Sequence, residues 1–224
     1  KHNIKKLIFS SSATVYDEHE KMPLFETSAI GQGQNPYART KIMIEKILQD
    51  EVVSIPNWSI IVLRYFNPVG NDPSCVLGED PKGIPNNLMP LINQAAFNTR
   101  KLTVFGADYN TSDGSAIRDY IHVSDLAKGH VNSVEKILRD DGGLKTFNLG
   151  LGQGISVLDL IDAYQSVNNV AIDYEIGDRR SGDLPICFAD NQLAKQELGW
   201  HPAFTHYDMC KHAYEWMKHK LIKN

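Results

Sequence analysis

Apolar and polar positions along this chain switch between two periods, and the switching predicts strands interleaved with helices. Leu7-Ile8-Phe9, closed by Ser10-Ser11-Ser12, reads as a buried strand over residues 4–10 that leaves the core at its serine end. From Tyr37 to about Asp50 the spacing is helical, with Tyr37, Lys41, Ile44 and Leu48 on one face and Pro36 at the entrance. Ser59 to Phe66 is a nearly continuous apolar run, as expected of a buried parallel strand. Asn87 suits the start of a helix reaching about Phe97 through Leu88, Leu91, Ile92, Ala95 and Ala96. Leu102 to Phe105 reads as a short strand and 107–114 as a polar loop. Residues 125–138 read as a helix with Ala127, Val131, Val134 and Leu138 in register, and 146–149 as another buried strand. Ser156 with Asp159 and Thr205 with Asp208 form capping-box patterns, each before an amphipathic helix. Asp190 begins a short helix that Gly199 ends.

Strands alternating with helices predict an α/β fold built on a parallel sheet. Long polar excursions after Phe66 and after Gly150 predict a smaller mixed α/β lobe grafted onto it. No Pro- or Ser-rich linker separates the two, so they are expected to interleave. The sheet domain would take residues 1–66 and about 119–150, and the lobe 67–118 and 151–224.

Composition narrows the class. The 224 residues are 42% hydrophobic and 22% charged, ordinary for a globular protein, and the net charge of −4 gives no polyelectrolyte footprint for nucleic acid or an anionic membrane. No apolar run approaches the roughly 18 residues of a spanning helix. Cys75, Cys187 and Cys210 are widely spaced and odd in number, which argues against a disulfide framework or a zinc site and fits a reducing cytoplasm. No metal site is expected.

The chemistry begins with Tyr37-Ala38-Arg39-Thr40-Lys41. Positions i and i+4 share a helix face, so the spacing holds a phenol beside an ammonium, and a cation favours the phenolate form that acts as a base. Ser12 stands at the C-terminal end of a strand, where open α/β sheets place ligand-contacting groups. Ser12, Tyr37 and Lys41 so arranged suit proton removal from an alcohol coupled to hydride transfer. That chemistry requires a nicotinamide cofactor and a Gly-rich turn for its pyrophosphate. No G-x-G-x-x-G or G-x-x-G-x-x-G pattern is present, and Gly150-Leu151-Gly152-Gln153-Gly154 has the wrong spacing and comes late. Lys1-His2-Asn3-Ile4 leads almost directly into the first strand. The expectation is a chain truncated at its front, lacking roughly three βα units of about 30 residues each, and neither binding NAD nor turning over alone.

Four longer motifs follow: Arg64-Tyr65-Phe66-Asn67-Pro68-Val69-Gly70, Gly78-Glu79-Asp80-Pro81-Lys82-Gly83-Ile84-Pro85-Asn86-Asn87-Leu88, Arg118-Asp119-Tyr120-Ile121-His122-Val123-Ser124-Asp125 and Arg179-Arg180-Ser181-Gly182-Asp183-Leu184-Pro185. Together with the Tyr-x-x-x-Lys, in order and spacing from Phe9 to about Trp200, they resemble the UDP-galactose (UDP-glucose) 4-epimerases of the extended short-chain dehydrogenase/reductase superfamily. The resemblance implies a Rossmann-like sheet domain with NAD as cofactor, and Ser12, Tyr37 and Lys41 as catalytic residues. Tyr37, Lys41 and Phe66 would meet the cofactor. Ser12, Asn67, Asn87, Leu88, Arg118, Arg180, Asp183 and Cys187 would meet a UDP-sugar substrate. The implied reaction inverts C4 of a UDP-hexose through a 4-keto intermediate, in galactose metabolism, and a homodimer is the form common to the family.

Plainer roles stand beside these. Asn87 also fits a helix cap, Arg118 a partner of Asp119 or Asp125, and Phe66 and Cys187 the core. His122 fits local hydrogen bonding better than acid–base work. A dehydratase or decarboxylase of the same superfamily would carry acidic residues after the serine, where this chain has Ala13 and Thr14. A non-catalytic nucleotide-sugar-binding protein remains the reading from another class. Asp17 replaces the glycine usual after Val15-Tyr16, which puts the local turn in question if the backbone there needs positive φ. Cys187, small where glucose- and galactose-restricted members carry tyrosine, implies room for a 2-acetamido group.

Overall fold

A computed structural model describes residues 4–55, 57–83, 85–97, 99–140 and 142–223. In chain order the elements are β1 (Lys6–Ser12), a 3-10 turn (Ala13–Val15), α1 (Pro36–Ser54), β2 (Ser59–Tyr65), β3 (Asn67–Val69), α2 (Leu88–Ala96), β4 (Leu102–Phe105), β5 (Ile117–Arg118) and β6 (Tyr120–His122). Then come α3 (Val123–Arg139), β7 (Gly143–Leu149), β8 (Ile155–Ser156), α4 (Val157–Asn168), β9 (Tyr174–Gly177), β10 (Ile186–Cys187), α5 (Gln192–Leu198) and α6 (His206–Lys223). The fold is α/β with parallel sheets.

Two compact units share the chain. The first holds residues up to Phe66, Leu126–Gly152 and Phe188–His201; the second holds Asn67–Asp125, Gln153–Cys187 and Pro202 onward. The division differs from the sequence expectation in two stretches. Residues 119–125 fall in the second unit because β6 pairs with β3, and 188–201 fall in the first because Leu24 bridges to Ala189 and α5 packs on β7.

In the first unit, β1, β2 and β7 form a parallel sheet in the order β1-β2-β7, with Ser12, Tyr65 and Leu149 in register at its C-terminal end. Every residue of β2 from Ser59 to Arg64 is buried, as its apolar run requires. Leu48 of α1 packs with Ile60 and Val62 of β2.

The buried faces of the two long helices depart from the expected ones. On α1 the buried stripe is Ala38, Ile42, Glu45 and Leu48, while Ile44 is exposed. On α3 the apolar series is turned outward: Val131 is 49% and Leu138 65% exposed, with Ala127 and Val134 exposed beside them. Gly129, Ser133 and Ile137 face inward instead. A Cβ at Gly129 would lie 2.7 Å from a Leu149 methyl, and Ser133 Oγ folds back to Gly129 O at 2.8 Å. Close helix–sheet packing at Gly129 and Ser133 therefore selects small residues there and sets which face of α3 turns inward.

The second unit is built from short pieces. β5 lies between β10, parallel, and β8, antiparallel; β3 pairs with β6 and β4 with β9, both parallel. Its core includes Ile92, Leu160, Ile161, Tyr164, Met209 and Ala213, with Tyr164 donating to Asn93 Oδ1 at 2.6 Å. Thr205 forms its capping box in full, and Ser156 forms the cap half of its own. Ser156 Oγ accepts from Asp159 N, and Thr205 and Asp208 bond reciprocally. Gly199 ends α5 in the left-handed region, although the helix starts at Gln192, with Asp190 accepting from its N–H.

Candidate active site

The first unit carries Ser12, Tyr37, Lys41 and Phe66. Ser12 ends β1 and caps the 3-10 turn, its Oγ accepting from Thr14 N at 3.2 Å and from Thr14 Oγ1 at 3.0 Å. Asn35 caps α1 through Ala38 N, and Pro36 follows at the first helical position, so Tyr37 lies in the first turn. Its ring is 52% exposed. The Lys41 ammonium lies 5.4 Å from the Tyr37 ring centroid and 5.1 Å from that of Phe9, and donates to Ser10 O at 2.7 Å. That bond aims the charge along the helix face shared with the phenol and leaves two further N–H groups for a ligand. Phe66 is buried, its N–H donating to Leu149 O at 3.2 Å.

Asp17 does not adopt positive φ, so the missing glycine imposes no strain at that turn. Its N–H donates to Ala29 O and its carboxylate accepts from His19 N.

The second unit contains a pocket lined by Asn67, Asn87, Leu88, Phe105, Arg118, Arg180 and Asp183, among others. Six of the substrate residues expected from the sequence thus converge. Arg118 Nη2 lies 3.4 Å from Asp183 Oδ1, and Asp125 accepts from the Ala203 and Phe204 N–H groups. Arg180 and Asp183 are the first and last residues of a tight turn closed by Asp183 N to Arg180 O at 3.3 Å. Gly182 supplies the φ of +80° that its third position needs. Asn87 occupies the N-cap position of α2 without capping it, its amide donating to Glu79 Oε1 at 3.1 Å.

Cys187 is not among the pocket-lining residues. It pairs with Arg118 between β10 and β5, its carbonyl accepting from Asp119 N at 3.0 Å, and burial pushes its thiol up to about 11. His122 is fully buried, accepts from Ser124 N at Nδ1 and meets His212 Nδ1 at 3.0 Å. Arg179 pairs with Asp108 and stacks on Tyr109, so only Arg180 of the two neighbouring arginines enters the pocket.

The sequence expectations missed Phe105. It ends β4 on the outward position of the alternation, and the Arg180 guanidinium covers its ring at 4.1 Å. An aromatic at an outward strand position was the available signal. A flat apolar ring beside two guanidinium groups and one carboxylate suits a base, a pyrophosphate and a ribose respectively.

The first unit thus carries Ser12, Tyr37 and Lys41 on β1 and α1, and the second carries a pocket lined by two arginines. Residues 1–150 match the NAD dependent epimerase/dehydratase family, and the chain belongs to it. UDP-glucose 4-epimerases of Dictyostelium discoideum and of Bacillus subtilis (strain 168) are each 48% identical to it over 217 residues. Each alignment covers 96% of this chain and 63% of the relative, so the chain spans about 63% of the length of the curated relatives it matches. Among solved structures, the UDP-glucose-4-epimerase of Stenotrophomonas maltophila with bound NAD and formylated UDP-arabinopyranose superposes with a TM-score of 0.94 at 43% identity, over 99% of this chain and 66% of that one. The Bifidobacterium longum UDP-glucose 4-epimerase with NAD+ and UDP gives 0.93 at 47%, over 98% and 65%.

Proposed function

We propose that this protein serves the interconversion of UDP-galactose and UDP-glucose by inversion at C4, with NAD as cofactor. The observation that carries the reading is the Lys41 ammonium, anchored to Ser10 O and facing the exposed Tyr37 ring one helical turn away. Tyr37 takes the proton from the 4-hydroxyl and returns it after the 4-keto sugar has turned over. Ser12, at the end of β1, orients the sugar oxygen. The free N–H groups of Lys41 fit a nicotinamide ribose hydroxyl, whereas no Gly-rich pyrophosphate turn is present in this sequence. When bound, NAD supplies the hydride acceptor and donor at C4.

In the second unit, Arg118 and Arg180 hold the pyrophosphate, Asp183 a ribose hydroxyl, and Phe105 the uracil face, with Asn67, Asn87 and Leu88 completing the wall. The sheet unit is thereby the cofactor half and the second unit the nucleotide-sugar half. Cys187 is the strand partner of the pocket-lining Arg118, and its small side chain supports activity on the N-acetylhexosamine pair as well. Free cysteines support a cytoplasmic setting, and Met43 and Ile47, exposed on α1, support a homodimer. Among the described residues, no helix is long and apolar enough to cross a membrane.

The test supplies UDP-galactose and NAD to the protein in the form that turns over and follows UDP-glucose by nuclear magnetic resonance. Interconversion lost in Tyr37→Phe, with UDP binding kept, is the expected result. Product from Tyr37→Phe at more than about a tenth of the parent rate would refute the assignment, since a true acid–base residue contributes about 10²- to 10⁴-fold.

A further inference from the structure

Glu45 lies one turn beyond Lys41 on α1, completing a stripe of Tyr37, Lys41 and Glu45 at i, i+4 and i+8. It is buried among the polar residues of the first unit, a costly place for a carboxylate without partners. Two strands supply them. Arg64 of β2 donates through Nε to Oε1 at 3.1 Å and through Nη2 to Oε2 at 2.6 Å, and Ser11 of β1 donates to Oε1 at 2.5 Å. Ser11 and Arg64 are lateral neighbours in the sheet, so one helical side chain is bonded to two adjacent strands in the same row.

Ser11 immediately precedes Ser12, and Ser10 immediately precedes Ser11. Lys41 holds the carbonyl of Ser10, and Glu45 holds the hydroxyl of Ser11. Two consecutive turns of α1 thus grip consecutive residues of β1 just before the serine. Arg64 is itself fixed from behind. Its Nη1 donates to Glu26 O at 3.1 Å, and its guanidinium stands 4.8 Å over the Tyr16 ring. The Tyr16 hydroxyl donates to Asn148 Oδ1 at 2.6 Å, and Asn148 is the next residue in the same sheet row. Burial is the strongest single influence on the Arg64 charge and works against it, but Glu45 and Tyr16 together outweigh it and raise the pKa.

We propose that Glu45, acting through Ser11 and Arg64, is the positioning residue that sets the slide and rotation of α1 along β1, and so the placement of Tyr37 and Lys41 relative to Ser12. A forked, bidentate pair fixes direction as well as distance, which a packed leucine cannot do. Buried ion pairs of this kind are often replaceable by apolar residues without loss of stability, so the value of this one lies in geometry. The proposal rests on the epimerase reading of the Ser12, Tyr37 and Lys41 group.

The test uses the protein in the form that interconverts UDP-galactose and UDP-glucose. Glu45→Leu combined with Arg64→Met conserves volume and removes both buried charges together. KM for UDP-galactose and the affinity for UDP should stay within about twofold. kcat should fall about 10- to 100-fold, the scale of a catalytic group displaced by an ångström. Glu45→Asp keeps the charge and should recover part of the loss, and Ser11→Ala should cost less than the double change. A folded double variant with parental kcat, or kcat and KM that change together with the folded fraction, overturns the proposal. Should the double variant not fold, Glu45→Asp and Ser11→Ala are judged by the same split between kcat and KM. Hydrogen exchange needs no turnover and separates this proposal from the epimerase reading. In Glu45→Asp, faster exchange confined to residues 10–12 and 37–45 supports the clamp even where epimerisation is absent. Unchanged exchange, or exchange that quickens evenly across the unit, overturns it.

Discussion

In the first unit the reactive side chains stand on long regular elements, the seven-residue β1 and the nineteen-residue α1, fixed by sheet register and helical spacing. In the second, the ligand-facing groups stand on a two-residue strand, a helix N-terminus, a strand end and a tight turn. Under the proposed function, the contrast follows from what each set must do. A proton-transfer group tolerates little displacement, and regular elements hold one another in a single register. A clamp for a base, a ribose and a pyrophosphate must approach from several directions, which short strands and turns allow. Burial follows the same division. The first unit hides an Arg–Glu pair beneath its reactive group, whereas the Arg118–Asp183 pair of the second remains open to the pocket.

The contrast predicts separable defects. Tyr37→Phe should lower kcat by about 10²- to 10⁴-fold and leave UDP affinity unchanged, measured by turnover and calorimetry on the same protein. A matching fall in UDP affinity would join the two roles that the proposal assigns to different elements. Arg180→Ala should do the reverse, weakening UDP binding by about 10- to 150-fold, the worth of roughly 1.5–3 kcal/mol for charge-assisted hydrogen bonds. Its kcat at saturating substrate should change far less.

A smaller and more selective effect is expected at Cys187. Cys187→Tyr should suppress turnover of the N-acetylhexosamine pair by about 1–3 kcal/mol of overpacking while sparing the glucose and galactose pair. Equal losses on both pairs, or no N-acetylhexosamine activity in the parent, would place the sugar gate elsewhere.

The smallest effect separates the units by pH. Burial and the neighbouring His212 push the His122 imidazole down to about 4, against the pull of Asp208 and Asp72. The folded state therefore favours neutral His122. Its stabilisation is present above the ordinary histidine value of about 6.5 and is lost as pH falls toward 4. Glu26 of the first unit has the opposite sign. Burial raises its carboxyl above the usual range despite the bond from Asn148 N–H, so protonation favours the fold as pH drops through that raised value. Hydrogen exchange followed from about pH 7 to about pH 5 should show the second unit weakening first. Equal weakening would mean that other groups dominate.

Much of the architecture was legible before any coordinates. The Pro36 entrance to α1, the helix starts at Ser156 and Thr205 and the Gly199 terminator each act within a few residues of chain. The Tyr37 to Lys41 spacing follows from one helical turn. Asn87 shows the limit of such local rules: it stands at a helix N-terminus, yet its amide goes to Glu79. Phe105 was readable as a strand residue, but its role depends on Arg180, far away in sequence.

The sequence by itself determined the longer helices and strands, their alternation, and which residue types could carry proton transfer and pyrophosphate binding. These depend on backbone geometry and side-chain chemistry acting over one or two turns. Only the tertiary structure decided which helix faces are buried. Ala127, Val131, Val134 and Leu138 form a sound apolar series, yet the close approach of Gly129 to Leu149 turns them outward. Glu45 stands between Ile44 and Lys46 in the chain, and it is the bonds from Arg64 and Ser11 that hold it buried against the sheet. Burial is a property of what lies opposite, and what lies opposite comes from distant parts of the chain.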